Sequence, residues 1–220
     1  MPVNIEDKVR LPADLTTLEA FRRWARSEEF PERGQFAFLC GDVWVDLSME
    51  DAFTHNRVKT RINGVLDEWT VSAGLGYYFS DGMLLSNVEV DLSTEPDGTF
   101  VSYDTLRSER LRLLEGQAGG YVELVGTPDM VLEVVSTTSV RKDTRVLRRL
   151  YWEAGIEEYW LVDARGPALR FDVLRRRRGG YATTRRQDGW VRSQVFGRSF
   201  HFSRQTDSLG HPQYTLASRP

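Results

Sequence analysis

The stretch Pro128-Asp129-Met130-Val131-Leu132-Glu133-Val134-Val135-Ser136 (PDMVLEVVS) reads as a short apolar strand, yet it carries two carboxylates. Strand alternation puts Asp129, Val131, Glu133 and Val135 on one face and Met130, Leu132 and Val134 on the other. Glu133 therefore falls in the middle of a strand that otherwise reads as core. An unpaired carboxylate buried there costs several kcal/mol, so a salt bridge, a polar network or a metal has to accept it. Asp129 shares its face, but four residues of strand separate the two by about 13 Å. They cannot jointly hold one cation, whose oxygen ligands lie about 2.0–2.6 Å from it. Any partner of Glu133 must come from another strand. The best candidate is Asp104, which ends the run Thr99-Phe100-Val101-Ser102-Tyr103-Asp104, since sequential strands are often neighbours. Asp129 reads better as a residue that opens the strand and caps a turn.

Outward from this strand, Thr16 and Glu19 give a capping-box signature before Leu18, Phe21 and Trp24, predicting a first helix that ends near Glu29. Gln35 to Cys40 and Val43 to Leu47 flank Gly41-Asp42, a hairpin signal. Val58, Ile62, Val65, Leu66 and Trp69 stripe a second helix from Glu50 to Ala73, closed by Gly74. Tyr77 to Phe79, Met83 to Leu92 and Phe100 to Leu106 read as strands, the last two joined by the turn Glu95-Pro96-Asp97-Gly98. A polar, glycine-rich segment leads to Tyr121–Leu124 and the opening strand. A helix from Ser139 to Ala154, a strand from Glu158 to Val162 and antiparallel strands from Ala168 onward complete the chain. The order predicts an α/β (α+β) sheet domain.

The 220 residues, 40% of them hydrophobic, suit a single domain over 1–220 with ample core. Its parts are an N-terminal helix and hairpin (14–49), a core (50–163) and a C-terminal hairpin extension (164–220). No apolar run follows the N-terminus and none is long enough for a membrane helix, so a cytoplasmic protein without a membrane partner is expected. One cysteine, Cys40, excludes an internal disulfide and a cysteine-rich zinc site. The net charge of −3 conceals an asymmetry. Between Arg170 and Arg204 ten arginines face two aspartates, a balance of +8; the remainder, with 19 basic and 30 acidic residues, carries −11. Such a segment attracts phosphate backbones or, more plainly, forms a solvated hairpin face that pairs with acidic neighbours.

Gly126-Thr127-Pro128-Asp129, Glu133-Val134-Val135-Ser136, Asp143, Tyr151, Ala154-Gly155 and Glu158-Tyr159-Trp160-Leu161-Val162-Asp163 together resemble the signature of the Uma2 family, one of the restriction-endonuclease-like PD-(D/E)XK nucleases. The resemblance is dense over Gly126 to Asp163 and weaker back to the first helix. It implies a mixed β-sheet core flanked by helices and an endonuclease that hydrolyses DNA with Mg²⁺ or Mn²⁺. Mapped onto this chain, Asp104 and Glu133 are the metal-binding carboxylates, the Val134 carbonyl is a backbone ligand, and His55 matches a histidine of the long helix. Two departures stand out. An early strand glutamate falls at Ala37, and the lysine of the helix after the glutamate strand falls at Leu147, with Lys142 as a substitute from a displaced position. Arginines 145, 148 and 149 do not readily serve as proton-transfer bases. The resemblance leaves a homodimer open. The empty lysine position leaves a second reading, a nuclease fold kept as a nucleic-acid-binding or regulatory module. A third is a structural protein in which Glu133 joins a buried salt-bridge network.

Overall fold

The computed structural model describes residues 11–116 and 119–220. Helix α1 (Leu18–Ala25) is capped by Thr17, which accepts from the Ala20 amide, one residue after the expected Thr16. It stops at Ala25 because Ser27 takes the Trp24 carbonyl with both its amide and its hydroxyl. Strands β1 (Gln35–Leu39) and β2 (Asp42–Asp46) form the expected hairpin, with Cys40 and Gly41 supplying the positive φ of the turn. The predicted second helix is divided into a π-helical turn (Ala52–Asn56) and α2 (Arg57–Ser72).

Strands β3 (Gly76–Ser80), β4 (Leu84–Asn87), β5 (Leu92–Thr94) and β6 (Gly98–Ser102) follow. The run expected as one strand from Met83 to Leu92 folds back on itself as the antiparallel pair β4–β5. The Asn87 side chain captures the Glu89 amide and Asp91 takes a left-handed φ of 53°, which reverses the chain. The next run ends at Ser102, whose hydroxyl caps the short helix α3 (Tyr103–Arg107). Then come β7 (Leu111–Glu115), β8 (Tyr121–Gly126), β9 (Met130–Val134), a second π-helical turn (Lys142–Leu147) and α4 (Arg148–Glu153). The remaining strands are β10 (Glu158–Asp163), β11 (Arg170–Arg177), β12 (Gly180–Thr183), β13 (Arg186–Gln187), β14 (Trp190–Arg192), β15 (Ser199–Thr206) and β16 (Pro212–Arg219).

Three sheets result: β2-β1-β5-β4-β8-β7, β12-β11-β10-β9-β6-β3, and β13-β14-β15-β16. This is a mixed α+β fold with additional antiparallel strands. The opening strand β9 is central in the second sheet, parallel to β10 and antiparallel to β6. Its two faces divide as the alternation predicts. Val131 and Val135 join Leu147, Leu150 and Tyr151 on one side, while Met130, Leu132 and Val134 meet Val58, Ile62 and Leu66 of α2 and Phe200 and Phe202 of β15 on the other. Helix α1 covers the first sheet through Phe21 and Trp24 and is tied down by Arg22 and Arg26, both paired with the buried Glu123. Among the described residues no helix is long and apolar enough to cross a membrane.

Candidate active site

Strand β6 runs antiparallel to β9, with Gly98 opposite Leu132 and Phe100 opposite Met130. The partner of Glu133 must therefore sit one residue before Gly98, and that residue is Asp97. Asp104 lies at the other end of β6. There Asp129, not Glu133, is its neighbour: Asp129 accepts from the Ser102 amide (2.6 Å) and the Thr105 hydroxyl (2.8 Å), the capping role expected of it. Asp104 itself sits on α3 with a side chain 93% exposed and pairs with Arg107. The structure thus corrects the placement of the second carboxylate. Strand β6 does lie beside β9, although β7 and β8 of the first sheet intervene in sequence, but antiparallel pairing brings the start of β6, not its end, to Glu133. Asp97 stood in the sequence as Pro96-Asp97-Gly98, a turn reading that hid it.

Asp97 is held by a polar stripe on the long helix. His55, Lys59 and Asn63 recur every fourth residue and so share one side of the helix, next to the apolar stripe Val58, Ile62 and Leu66. His55 Nε2 and Lys59 Nζ each lie 3.6 Å from the Asp97 carboxylate, and Asn63 donates to the Asp97 carbonyl at 2.9 Å. The Val134 amide donates to Asp97 Oδ2 at 2.6 Å, which links the aspartate to the strand that carries Glu133. Tyr78 donates to Asn63 Oδ1. That pair closes tightly over Gly98, where a Cβ would stand 2.2 Å from the Tyr78 oxygen, so any larger residue would have to displace it. Lys59 also pairs with Glu50 and Asp81. Neither Lys59 nor Asn63 was legible as a site residue from the apolar stripe alone; their spacing from His55 was the available signal.

Glu133 is buried and accepts from the Tyr151 hydroxyl at 2.6 Å. Lys142 and Asp143, on the second π-helical turn, reach the same cavity, which holds about 300 Å³ and is lined also by Glu50, His55, Asp81, Glu95, Asp97 and Val134. Both π-helical turns thus border the cavity, as such turns often do at functional sites. Lys142 Nζ lies 3.8 Å from Asp143, with its side chain 13% exposed. Leu147, at the position of the absent lysine, is fully buried in the apolar cluster with Val131 and Val135. Ala37 likewise belongs to that cluster.

The electrostatics are those of crowded carboxylates. Burial raises Glu133 well above the usual carboxylate range, Asp143 and Asp97 push it further, and Lys142 and the Tyr151 hydrogen bond pull it back. Burial also raises Asp97 against the pull of His55 and Lys59. Burial alone would lower Lys142, but Glu133, Asp143, Asp97 and Asp46 outweigh it and hold the ammonium protonated. Asp46, Glu50, Asp81, Glu95, Asp97, Glu133 and Asp143 line the cavity against the two lysines 59 and 142, an excess of five negative charges when all are ionised.

Burial lifts Asp143 from 3.8 to about 6 while Lys142 and Ser139 restrain it. A carboxyl whose pKa is higher in the folded state stabilises the fold below its unfolded value and loses that contribution as pH rises through the folded value. Asp143→Asn should therefore gain stability over the parent chain as pH rises from about 4 to 6.5, reaching about 3 kcal/mol. Thermal melts across that range without divalent ions test this; a constant difference between the two proteins contradicts it.

This donor set suits a hard divalent cation. Among the described residues no three His, Cys, Asp or Glu side chains converge as a ready cage. Mg²⁺ rarely needs one: it keeps several waters and is held through one or two carboxylates plus substrate oxygens. Asp143 Oδ1 is buried without a hydrogen-bond partner and has the Lys142 ammonium, 3.8 Å away, as its counter-charge. The residues present fit the ion.

Of the C-terminal arginines, several are structural. Arg170 and Arg186 pair with Asp172, Arg198 covers the Trp69 ring, and Arg204 donates to the Ala164 and Gly166 carbonyls. Arg177, Arg178, Arg185 and Arg192 are exposed.

The sequence pattern of the Uma2 family, described as "Putative restriction endonuclease", matches residues 18–204. Among curated proteins none matches the chain. Among solved structures, the chain is similar to a "putative nuclease belonging to DUF820" from Anabaena variabilis. The TM-score is 0.59 at 16% identity, covering 82% of this chain and 90% of that one, a likeness of fold.

Proposed function

This chain belongs to the Uma2 family, and we propose that it is a Mg²⁺- or Mn²⁺-dependent endonuclease that hydrolyses phosphodiester bonds in DNA, acting in the cytoplasm. The observation that carries this reading is that Asp97, immediately before β6, and Glu133, on the neighbouring β9, line one cavity with Lys142. Asp97, Glu133 and the Val134 carbonyl would hold the ion. A divalent ion bound there lowers the pKa of a water and neutralises charge on the phosphate. His55, Lys59 and Asn63 fix the position of Asp97, and Tyr151 fixes that of Glu133. Lys142, held protonated, supplies positive charge where negative charge develops on the phosphate. It stands in for the lysine absent at Leu147.

A second reading, a nucleic-acid-binding or regulatory module without turnover, is favoured by one observation: the Lys59 ammonium already neutralises Asp97. Calorimetric titration with Mg²⁺ and Mn²⁺, beside a plasmid-nicking assay, separates the two. The endonuclease binds the ion and nicks, and Glu133→Ala loses both while its melting transition stays cooperative. Nicking that survives Glu133→Ala refutes the assignment, and metal or DNA binding without nicking gives the module.

A further inference from the structure

A second cavity, of about 320 Å³, adjoins the first, and Gln35, Asp46, Glu95, Ser139 and Lys142 line both. The two form one cleft with Lys142 at the boundary. Their chemistry differs. The first is crowded with carboxylates, whereas the second has an aromatic and aliphatic wall of Trp44, Val45 and Leu47. Trp44 stands on the edge strand β2 opposite Ala37, whose methyl group leaves space beside the indole. The Arg141 guanidinium lies 5.8 Å from the indole centroid, at the start of the helix that carries Lys142. Thr94, Thr138 and Gln35 add hydrogen-bonding groups to the apolar wall.

We infer that this second cavity receives the unstacked base of the nucleotide next to the phosphate that Lys142 meets, so that the substrate is a single strand or a base swung out of a duplex. The inference rests on the proposed phosphodiesterase reading. A flat ring with polar edges matches an aromatic side chain and a few donors and acceptors, the means by which proteins take hold of unpaired bases. A base stacked inside a duplex cannot enter such a pocket without leaving the stack. Continuity with the cavity that holds Glu133 places base and phosphate on either side of one lysine. Charge where the two cavities meet, from Asp46, Glu95 and Lys142, argues against a purely apolar ligand.

Fluorescence anisotropy in the Glu133→Gln background, which the proposed reading makes unable to cut, tests the pocket through binding alone. A labelled single-stranded oligodeoxynucleotide should lose about 5- to 100-fold in affinity on Trp44→Ala and much less on Trp44→Phe, which keeps a stacking face. A strand of the same length made only of abasic nucleotides should bind all three proteins equally, which separates a lost base contact from a damaged fold. In a fully paired duplex, a Trp44-dependent loss identifies extrusion from the helix as the source of the base; absence of any such loss identifies single strands. The inference fails if Trp44→Ala leaves the single strand unaffected, or weakens the abasic strand as much as the natural one. Failure of the nuclease reading shows separately, as absence of nicking by the parent protein.

Discussion

Asp97→Asn should abolish divalent-dependent cleavage, whereas Asp104→Asn should leave it at the parent rate. The two aspartates bracket the same strand, and only the register of β6 against β9 tells them apart. Asp97 stands level with Glu133, and Asp104 is at the end of the pair where Asp129 lies, about 13 Å of strand away. Replacing one of two anionic ligands removes several kcal/mol of charge stabilisation, about a thousandfold or more in rate. The amide is isosteric, and its carbonyl oxygen still accepts from the Val134 amide. Lys59 keeps Glu50 and Asp81 as partners, so the fold should survive. Nicking rates with Mg²⁺ for both variants, with a calorimetric titration of the ion, decide the matter. If Asp104→Asn is the dead variant, the register-based assignment is wrong.

What the sequence made legible follows the range of the interactions involved. The alternation of β9 is local, and the face that carries Glu133 emerged as predicted. Helices at Leu18 and Val58 and the hairpin at Gln35 are likewise local. The partner of Glu133 is not local, because it depends on strand direction. Composition says little about direction, and the proline and glycine around Asp97 spoke for a turn. The reversal at Asp91 was hidden for a similar reason: a left-handed residue in an apolar run carries no pattern of its own. The π-helical turns were hidden too, since an i→i+5 turn differs from an α-helix by one residue in phase. Lys142 reaches the cavity from such a turn, while Leu147 at the turn's other end is buried in the apolar cluster. The arginine-rich tail misled in another way. Its charge is large, but part of it is already met by Asp172, Trp69 and backbone carbonyls.

Lys142→Met should lower the cleavage rate by about a hundredfold or more while tightening the binding of Mg²⁺. Lys142 lies beside Glu133 and Asp143 and stays protonated, so it repels an incoming cation while attracting the phosphate. Removing its charge favours the first ligand and deprives the transition state of a stabilising charge. A lysine with a merely structural role would weaken both. The companion change, Leu147→Lys, asks whether the family's usual position can take over. Leu147 is fully buried among Val131, Val135, Leu150 and Tyr151, and an ammonium there is taken out of water. Leu147→Lys alone should cost about 3 kcal/mol, a fall of roughly 10 °C in Tm. Combined with Lys142→Met, it should not restore cleavage, because the apolar cluster gives the new side chain no path to the phosphate. Recovery of activity in the double variant would instead show that the helix can present its lysine one turn later. Lys142 would then be an ion-pair partner of Asp143, and the catalytic charge would belong at position 147.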